Sequence, residues 1–287
     1  MRRIFDLAHI SKISLGFILS GMFMAASIGQ AQVPLERSAL RSNPKGTAVK
    51  AWNLPVILET SSTMHSSDSY ERQAMTSLTL APSYKISNSL KLFGSTLIYR
   101  EETGAGDSGF DNTRLGLALA KNMSKRTTWT NTVSVVAPTN QVLRDETSFQ
   151  GAIRGSTGFS FSKLPYDSVL SYNISYTRNF HEYDMTASGA FNVRETVAQT
   201  LEYSLPVVSK LSLLTSFSYS YGLTYEDDSR SKFYAGADLS WAFTKALSMS
   251  VGTSNEGNAL KPNGMDSNIE FYNDSSSVIK MGLVYVL

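Results

Sequence analysis

Residues 276–287, SSVIKMGLVYVL, decide the fold. Side chains alternate between the two faces of a β-strand, so odd-numbered and even-numbered residues of this segment point in opposite directions. The odd-numbered face is wholly apolar and holds Ile279, Met281, Leu283, Tyr285 and Leu287. The even-numbered face is mixed, because Lys280 and Gly282 lie among valines. The segment predicts a strand with lipid on its apolar side; an ordinary half-buried edge strand is the alternative for this segment alone.

The same alternation recurs along the chain from about residue 47 onwards. Segments of about ten residues with a hydrophobic period of two are separated by polar connections, which predicts twelve strands in all. In the ninth segment the apolar face holds Leu211, Leu213, Phe217, Tyr219, Tyr221 and Leu223. Most residues of its other face are small or polar, namely Ser212, Ser216, Ser218, Ser220, Gly222 and Thr224. This pattern is typical of strands that turn apolar side chains to lipid and polar side chains to an interior.

The connections between segments alternate in length. Short turns are expected near Asn88, Met123, Pro165, Val208 and Lys245, and longer loops near Ser66, Ala105, Gln141, Asp184, Asp228 and Pro262. Each series repeats at intervals of roughly 40 residues, one hairpin per interval. Six long loops and five short turns require twelve strands with both chain ends on the same side. Because proline is poorly tolerated in paired strands, Pro55 and Pro82 leave ten strands as the alternative count.

The N-terminus has the layout of an export signal. Basic residues at Arg2, Arg3 and Lys12 precede an apolar run over residues 13–28, and small residues follow at a position suited to signal peptidase. We therefore assign residues 1–31 to a signal peptide, 32–46 to a short periplasmic lead-in and 47–287 to the folded domain. An uncleaved membrane helix is the alternative, but the apolar run is shorter than the roughly 20 residues that a span requires.

Composition narrows the class further. Charged residues make up 17% of the chain, below the roughly 25% of soluble domains. There is no cysteine, so neither a disulfide nor a lipid anchor on an N-terminal cysteine is expected. With three histidines and no cysteine, no metal cluster is indicated, and no motif suggests a cofactor. The net charge of +2 gives no indication of nucleic-acid binding.

The end of the chain also carries a resemblance. Gly282, Tyr285 and Leu287 resemble the terminal insertion signal of Gram-negative outer-membrane β-barrel proteins, in which a glycine and two spaced hydrophobic residues close the last strand. This sequence departs from the pattern in ending with Leu and in having Met281 where a polar residue is expected. The resemblance implies an all-β fold, a transmembrane antiparallel up-and-down β-barrel in the outer membrane. It also implies lipid, lipopolysaccharide and the barrel-assembly machinery as partners.

Strand parity then selects candidate residues of the barrel interior. We assign Phe93, Leu97 and Tyr99 to the lipid-facing side of the third strand, which leaves Arg100 on its inward face. Inward residues of the fourth, sixth and eighth strands are expected to extend this into a basic strip, formed by Arg100, Arg114, Arg154 and Arg194. The opposite wall is expected to carry Glu59, Asp238 and Lys280. A transverse field between the two walls predicts a passive, porin-like channel for small anionic solutes. The alternative is a structural or adhesive anchor without an open pore, in which the arginines pair with acidic residues and fill the interior.

One further pattern suggests an enzyme. His65 and Ser67 have the spacing seen in outer-membrane phospholipase and lipid A deacylase families, and the resemblance would make His65 the base and Ser67 the nucleophile. In those families the pair faces the bilayer, whereas strand parity here places both residues on the inward face. We therefore expect no enzymatic activity and keep lipid hydrolysis as a second alternative.

Overall fold

The computed structural model describes residues 51–65, 72–103, 106–261, 266–273 and 276–287. The predicted signal peptide and lead-in, residues 1–31 and 32–46, lie outside this part of the chain. The described residues form a closed antiparallel up-and-down barrel of twelve strands. The helical structure of the described residues is one helix, α1 (Gln141–Thr147), and one 3-10 turn, Pro165–Asp167. In the described ranges, no helix combines the length and the hydrophobicity that crossing a membrane requires.

Three of the strands consist of two segments each. The strands are β1 (Trp52–Asn53 and Pro55–Thr63), β2 (Ala74–Leu80 and Ser83–Lys85), β3 (Leu90–Glu101), β4 (Ser108–Phe110 and Thr113–Asn122), β5 (Thr127–Ala137), β6 (Phe149–Phe161), β7 (Val169–His181), β8 (Val193–Val208), β9 (Leu211–Thr224), β10 (Ser229–Ala242), β11 (Leu247–Asn258) and β12 (Ser277–Val286). Short and long connections mostly alternate between them, as the sequence predicts, but the connection expected to be long near Asp228 spans only residues 225–228.

The barrel closes where the last strand pairs with the first. In this seam Leu283 of β12 is the register partner of Leu58 of β1, and the pairing is antiparallel. Below it, Leu287 N donates to Leu54 O at 3.1 Å. All other strands pair with their neighbours in sequence, so the sheet has no free edge. A sheet that spans a membrane requires this closure, because the bilayer core contains no water to hydrogen-bond the backbone N–H and C=O groups of a free edge. The predicted fold class and strand number are confirmed.

Proline interrupts strands without removing any of them. Pro82 lies at the break between the two segments of β2, where it supplies no N–H to the ladder. The neighbouring strands still use its carbonyl, since Gly94 N donates to Pro82 O at 2.8 Å. On β8 the register with β9 shifts between Pro206 and Val208, which accommodates a second proline in a bulge. Ten strands, the alternative count, is therefore not the observed one.

The two faces of β12 differ in exposure as predicted. Met281 is 51% exposed, whereas its neighbour Lys280 is 3% exposed. The same alternation extends through β9, where Tyr221 is exposed and Ser220 is buried. The exposed apolar parity forms the outer belt of the barrel, and the buried parity forms the wall of the interior.

The prediction for β3 was wrong by one residue. Leu92 is the register partner of Leu117, an exposed residue of the outer belt, so Leu92 faces outward. Phe93 and Leu97 consequently face the interior, where Leu97 is buried. The sequence of this strand, LKLFGSTLIYRE, has apolar residues on both parities. Periodicity alone therefore could not decide which parity faces lipid.

A small residue on the next strand makes room for the inward aromatic ring of β3. Phe93 is the register partner of Gly116 on β4. A β-carbon added to Gly116 would lie 2.8 Å from Phe93 Cζ, closer than such contacts normally occur. The glycine thus allows the ring to lie against the inner wall.

The outer belt predicts that the stability lost on an arginine substitution depends on the depth of the substituted residue in the membrane. Arginine at Val133, an exposed outward residue within β5, should lower the free energy of unfolding in lipid vesicles by about 2 to 4 kcal/mol. Arginine at Ala137, on the same face at the end of the strand, should lower it by only about 0 to 1 kcal/mol. Guanidinium titration of vesicle-embedded protein measures both values. Equal costs at the two positions would contradict the assigned membrane depth.

Candidate functional site

The inner wall of the barrel is the candidate site. Its buried polar side chains are mostly short, with four ionisable groups among them. They are Glu59, Ser77, Thr79, Ser134, Ser171, Ser175, Glu202, Ser216, Ser220, Asp238, Ser250, Ser254 and Lys280.

Three of the ionisable residues predicted for one wall lie near the seam, and two of them are in contact. Lys280 Nζ lies 3.1 Å from Asp238 Oδ1. The same ammonium group donates a hydrogen bond to Tyr234 Oη at 3.1 Å. Glu59 lies on the adjoining strand as the register partner of Gly282. We call Glu59, Tyr234, Asp238 and Lys280 the seam cluster; it joins β1, β10 and β12.

Two glycines let the seam cluster lie flat against the wall. Gly252 is the register partner of Asp238, and a β-carbon there would lie 2.0 Å from Asp238 Oδ1. A β-carbon at Gly236 would lie 2.6 Å from Tyr234 Oη. Neither oxygen could keep its position beside a larger residue. The glycines therefore direct the carboxylate and the phenol towards Lys280.

Arg114 and Arg154 are brought together on another part of the wall, on either side of β5. Arg114 Nε donates to Ser134 Oγ at 2.9 Å, and Ser134 Oγ donates to Arg154 O at 3.4 Å. Arg154 Nη2 donates in turn to Ser175 Oγ at 3.3 Å. The Arg114 guanidinium also lies 5.0 Å from the centre of the Phe93 ring, a cation–π contact. We call Arg114 and Arg154 the arginine pair.

Arg194 occupies a different environment, at the start of β8. Its Nη2 lies 3.0 Å from Asp227 Oδ1 in the connection between β9 and β10. Its Nε lies 3.4 Å from Glu195 Oε1, and Glu195 also forms an ion pair with Arg178 on β7. The charge of Arg194 is therefore matched by carboxylates at the external end of the barrel.

Arg100 is not in the interior, contrary to the prediction. It is exposed, and its register partner is Thr76 on β2. Thr76 pairs with Thr60, which pairs with Met281 of the outer belt, so the whole row faces outward. The cause is the parity error on β3, which moves every residue of that strand to the opposite face.

Several interior residues were missed from the sequence. Lys91 of β3 is the register partner of Ala118 and shares its inward direction. Glu256 lies on β11 as the register partner of Tyr234. Glu256 could have been found by extending the inward parity of β11 beyond Gly252, whereas Lys91 could not, because β3 is apolar on both parities. Phe93 gave no such signal, because aromatic residues on barrel strands are expected to face lipid.

The remaining predicted residues lie near gaps or at the chain end. Ser67 is outside the described residues, and His65 is the last residue before that gap. At the C-terminus, Gly282 is buried, while Tyr285 and Leu287 are exposed on the outer belt. Their role as an insertion signal stays a prediction. Within the described ranges, no group of three or more His, Asp or Glu side chains is placed to hold a metal ion.

Comparison with known proteins adds a likeness of fold. No protein-family model and no curated protein sequence matches the chain. An outer membrane channel from Pseudomonas putida F1 is similar in structure, with a TM-score of 0.60 and 16% identity, covering 85% of this chain and 99% of that chain. The NanC porin is also similar, with a TM-score of 0.53 and 9% identity, covering 81% of this chain and 98% of that one.

Identities this low establish a shared fold. The closed barrel, its apolar outer belt and its polar inner wall are the features that an outer-membrane protein of this kind requires. The prediction of that class, made from the terminal strand and the alternating segments, is confirmed. The chain is a twelve-stranded β-barrel of the outer-membrane type, with the fold of known channels and porins.

Proposed function

We propose that the protein is a passive, porin-like channel for small solutes, and that the arginine pair makes its lumen favour anions. The observation that carries this proposal is the separation of charge on the inner wall. Arg114 and Arg154 lie together around Ser134, while Asp238 and Lys280 lie in contact across β10 and β12. A solute passing through would experience a field across the lumen rather than a neutral surface.

Rigid strands give this field its strength. The guanidinium groups are held at fixed positions by hydrogen bonds to Ser134 and Ser175. Water in a narrow lumen screens charge less than bulk water does, so fixed cations there attract anions more strongly. Acidic residues such as Glu182, Asp184 and Asp227 occupy the external connections and oppose the entry of anions. The attraction of anions by the arginine pair and their repulsion by the acidic connections differ in their dependence on salt concentration.

A barrel that serves as an anchor without an open pore is the second candidate. Lys280, Asp238 and Glu59 are each less than a tenth exposed, which favours a wall that is densely filled near the seam. Twelve strands lie between the eight that side chains can fill and the 16 that leave an aqueous channel. Conductance decides between the two functions.

We further propose the cellular context of this channel. Residues 1–31 would be removed after export, and Gly282, Tyr285 and Leu287 would present the last strand to the barrel-assembly machinery. Lipid and lipopolysaccharide would surround the outer belt. We propose no cofactor and no enzymatic step.

Selectivity should depend on the arginine pair. The double variant Arg114→Gln and Arg154→Gln should lose or reverse the anion preference measured from the reversal potential across a salt gradient in a planar bilayer. Arg194→Gln is the matched control, because carboxylates already balance that charge. It should change the preference much less. A wild-type protein that shows no conductance steps, or is cation-selective near 0.1 M salt, would contradict the proposal.

Salt should sharpen the anion preference. The Debye length is about 30 Å at 0.01 M and about 10 Å at 0.1 M, so added salt weakens the effect of the acidic external connections on an anion at the arginine pair. The ratio of anion to cation permeability should therefore rise between these two concentrations. A permeability ratio that falls steadily as the salt concentration rises would show that the acidic external connections do not hinder the entry of anions.

Lipid hydrolysis should be absent. Purified protein should release no fatty acid from phospholipid or lipid A, with or without calcium, and Ser67→Ala should behave as wild type. Fatty-acid release that Ser67→Ala or His65→Ala abolishes would instead establish the enzyme alternative.

A further inference from the structure

Residues 266–273 belong to the last external connection, between β11 and β12, and lie against the outside of the barrel. We call residues 266–273 the outer strap. Asn255 Nδ2 on β11 donates to Glu270 O of the strap at 2.7 Å, and Asn268 Nδ2 donates to Asn258 O at 3.1 Å. The ring centroid of Phe271 lies 6.5 Å from that of Phe217, a residue of the outer belt.

The outer strap covers wall that would otherwise face lipid. Phe217, Ala235 and Asn255 form one outward row through their register pairing. Ala235 is 2% exposed and Asn255 is 1% exposed, although both lie on the outward parity. Farther along the same strands, the outward residues Leu239 and Val251 remain open, with exposures of 45% and 46%. The strap therefore takes the place of lipid over one part of the belt.

The backbone of the outer strap is partly satisfied by protein, as a location at membrane level requires. Asn268 N donates to Ala259 O at 2.9 Å, and Asn273 N donates to Ser277 Oγ at 2.8 Å. The carbonyl of Glu270 accepts from Asn255. Irregular backbone is tolerated at membrane depth only where its polar groups find such partners.

Two aromatic side chains of the outer strap are exposed on the outside of the barrel. Phe271 is 76% exposed and Tyr272 is 59% exposed. Because Phe271 lies beside Phe217, its ring continues the apolar belt rather than standing apart from it. Aromatic residues are favoured at the boundary between acyl chains and headgroups. Water would be an unfavourable neighbour for an exposed phenylalanine, whereas lipid would stabilise it.

We propose that the outer strap is a lipid-binding element, which places Phe271 in the outer leaflet and is held to the barrel by Asn255. Its occupant is lipid, because the strap continues the belt that lipid already covers. This inference concerns the outer surface and is independent of whether the lumen conducts.

Site-directed spin labelling tests the proposal, since the chain has no native cysteine. Phe271→Cys, Leu239→Cys and Tyr183→Cys would each carry one nitroxide, in protein reconstituted into vesicles of phosphatidylcholine and phosphatidylglycerol. Leu239 reports the belt, and Tyr183 reports an external connection. The ratio of oxygen to nickel-chelate accessibility at position 271 should match position 239 and exceed position 183 several-fold.

Two results would overturn the proposal. A nickel accessibility at position 271 equal to that at position 183 would place the strap in water. Protection from both reagents, with dipolar broadening between labels, would make the strap a contact between copies of the chain.

A second variant tests the attachment of the outer strap. Asn255→Ala should raise nickel accessibility and label mobility at position 271. Asn131→Ala, an outward residue on β5 far along the sheet, should leave both unchanged. Heat-dependent gel mobility confirms that each variant is folded. An unchanged label in folded Asn255→Ala would refute the role of Asn255.

Discussion

Pairing between the last strand and the first is the constraint on which the rest of the structure depends. In lipid every backbone N–H and C=O must find a partner within the protein, so a sheet that reaches the membrane cannot keep an open edge. The β12–β1 register satisfies this demand, and Leu54 and Leu287 continue it to the chain end. Once the register is fixed, the direction of every side chain on both strands is fixed too.

The seam cluster shows what that constraint means for the interior. Closure brings Glu59 of the first strand beside the last strand, on which Lys280 already contacts Asp238. A buried carboxylate or ammonium group is costly without a partner, so these groups stabilise the wall only as a set. Gly252 and Gly236 matter for the same reason, because they leave the space in which the set assembles. The last strand therefore supplies both the closing edge and the central cation.

Much of the fold could be predicted from the sequence because its signal is redundant. The alternating segments and the two series of connections indicate twelve strands, the apolar face of β12 indicates contact with lipid, and the structure has the twelve strands. The failure on β3 has a physical cause. That strand is apolar on both parities, and the choice between them depends on Gly116 of the neighbouring strand, which makes room for Phe93. Such packing is a tertiary property that a single segment does not encode.

The candidate site was predicted less completely than the fold. A site depends on which face of its strand each side chain lies on, and on partners that the connections supply. A parity error of one residue leaves the strand count unchanged, yet it turns Arg100 outward and brings Lys91 inward. Arg194 was assigned the correct strand, but its partner Asp227 lies on a connection whose course the sequence does not specify.

The outer strap is another feature that could not be predicted from the sequence. Its residues look like part of a solvated loop, and only the contacts of Asn255 and Phe217 show that it folds onto the barrel wall. Period-two alternation specifies which residues can face lipid, whereas the connections decide which of them do. Connections therefore complete both surfaces of this barrel, with Asp227 beside Arg194 at its external end and the outer strap on its apolar exterior.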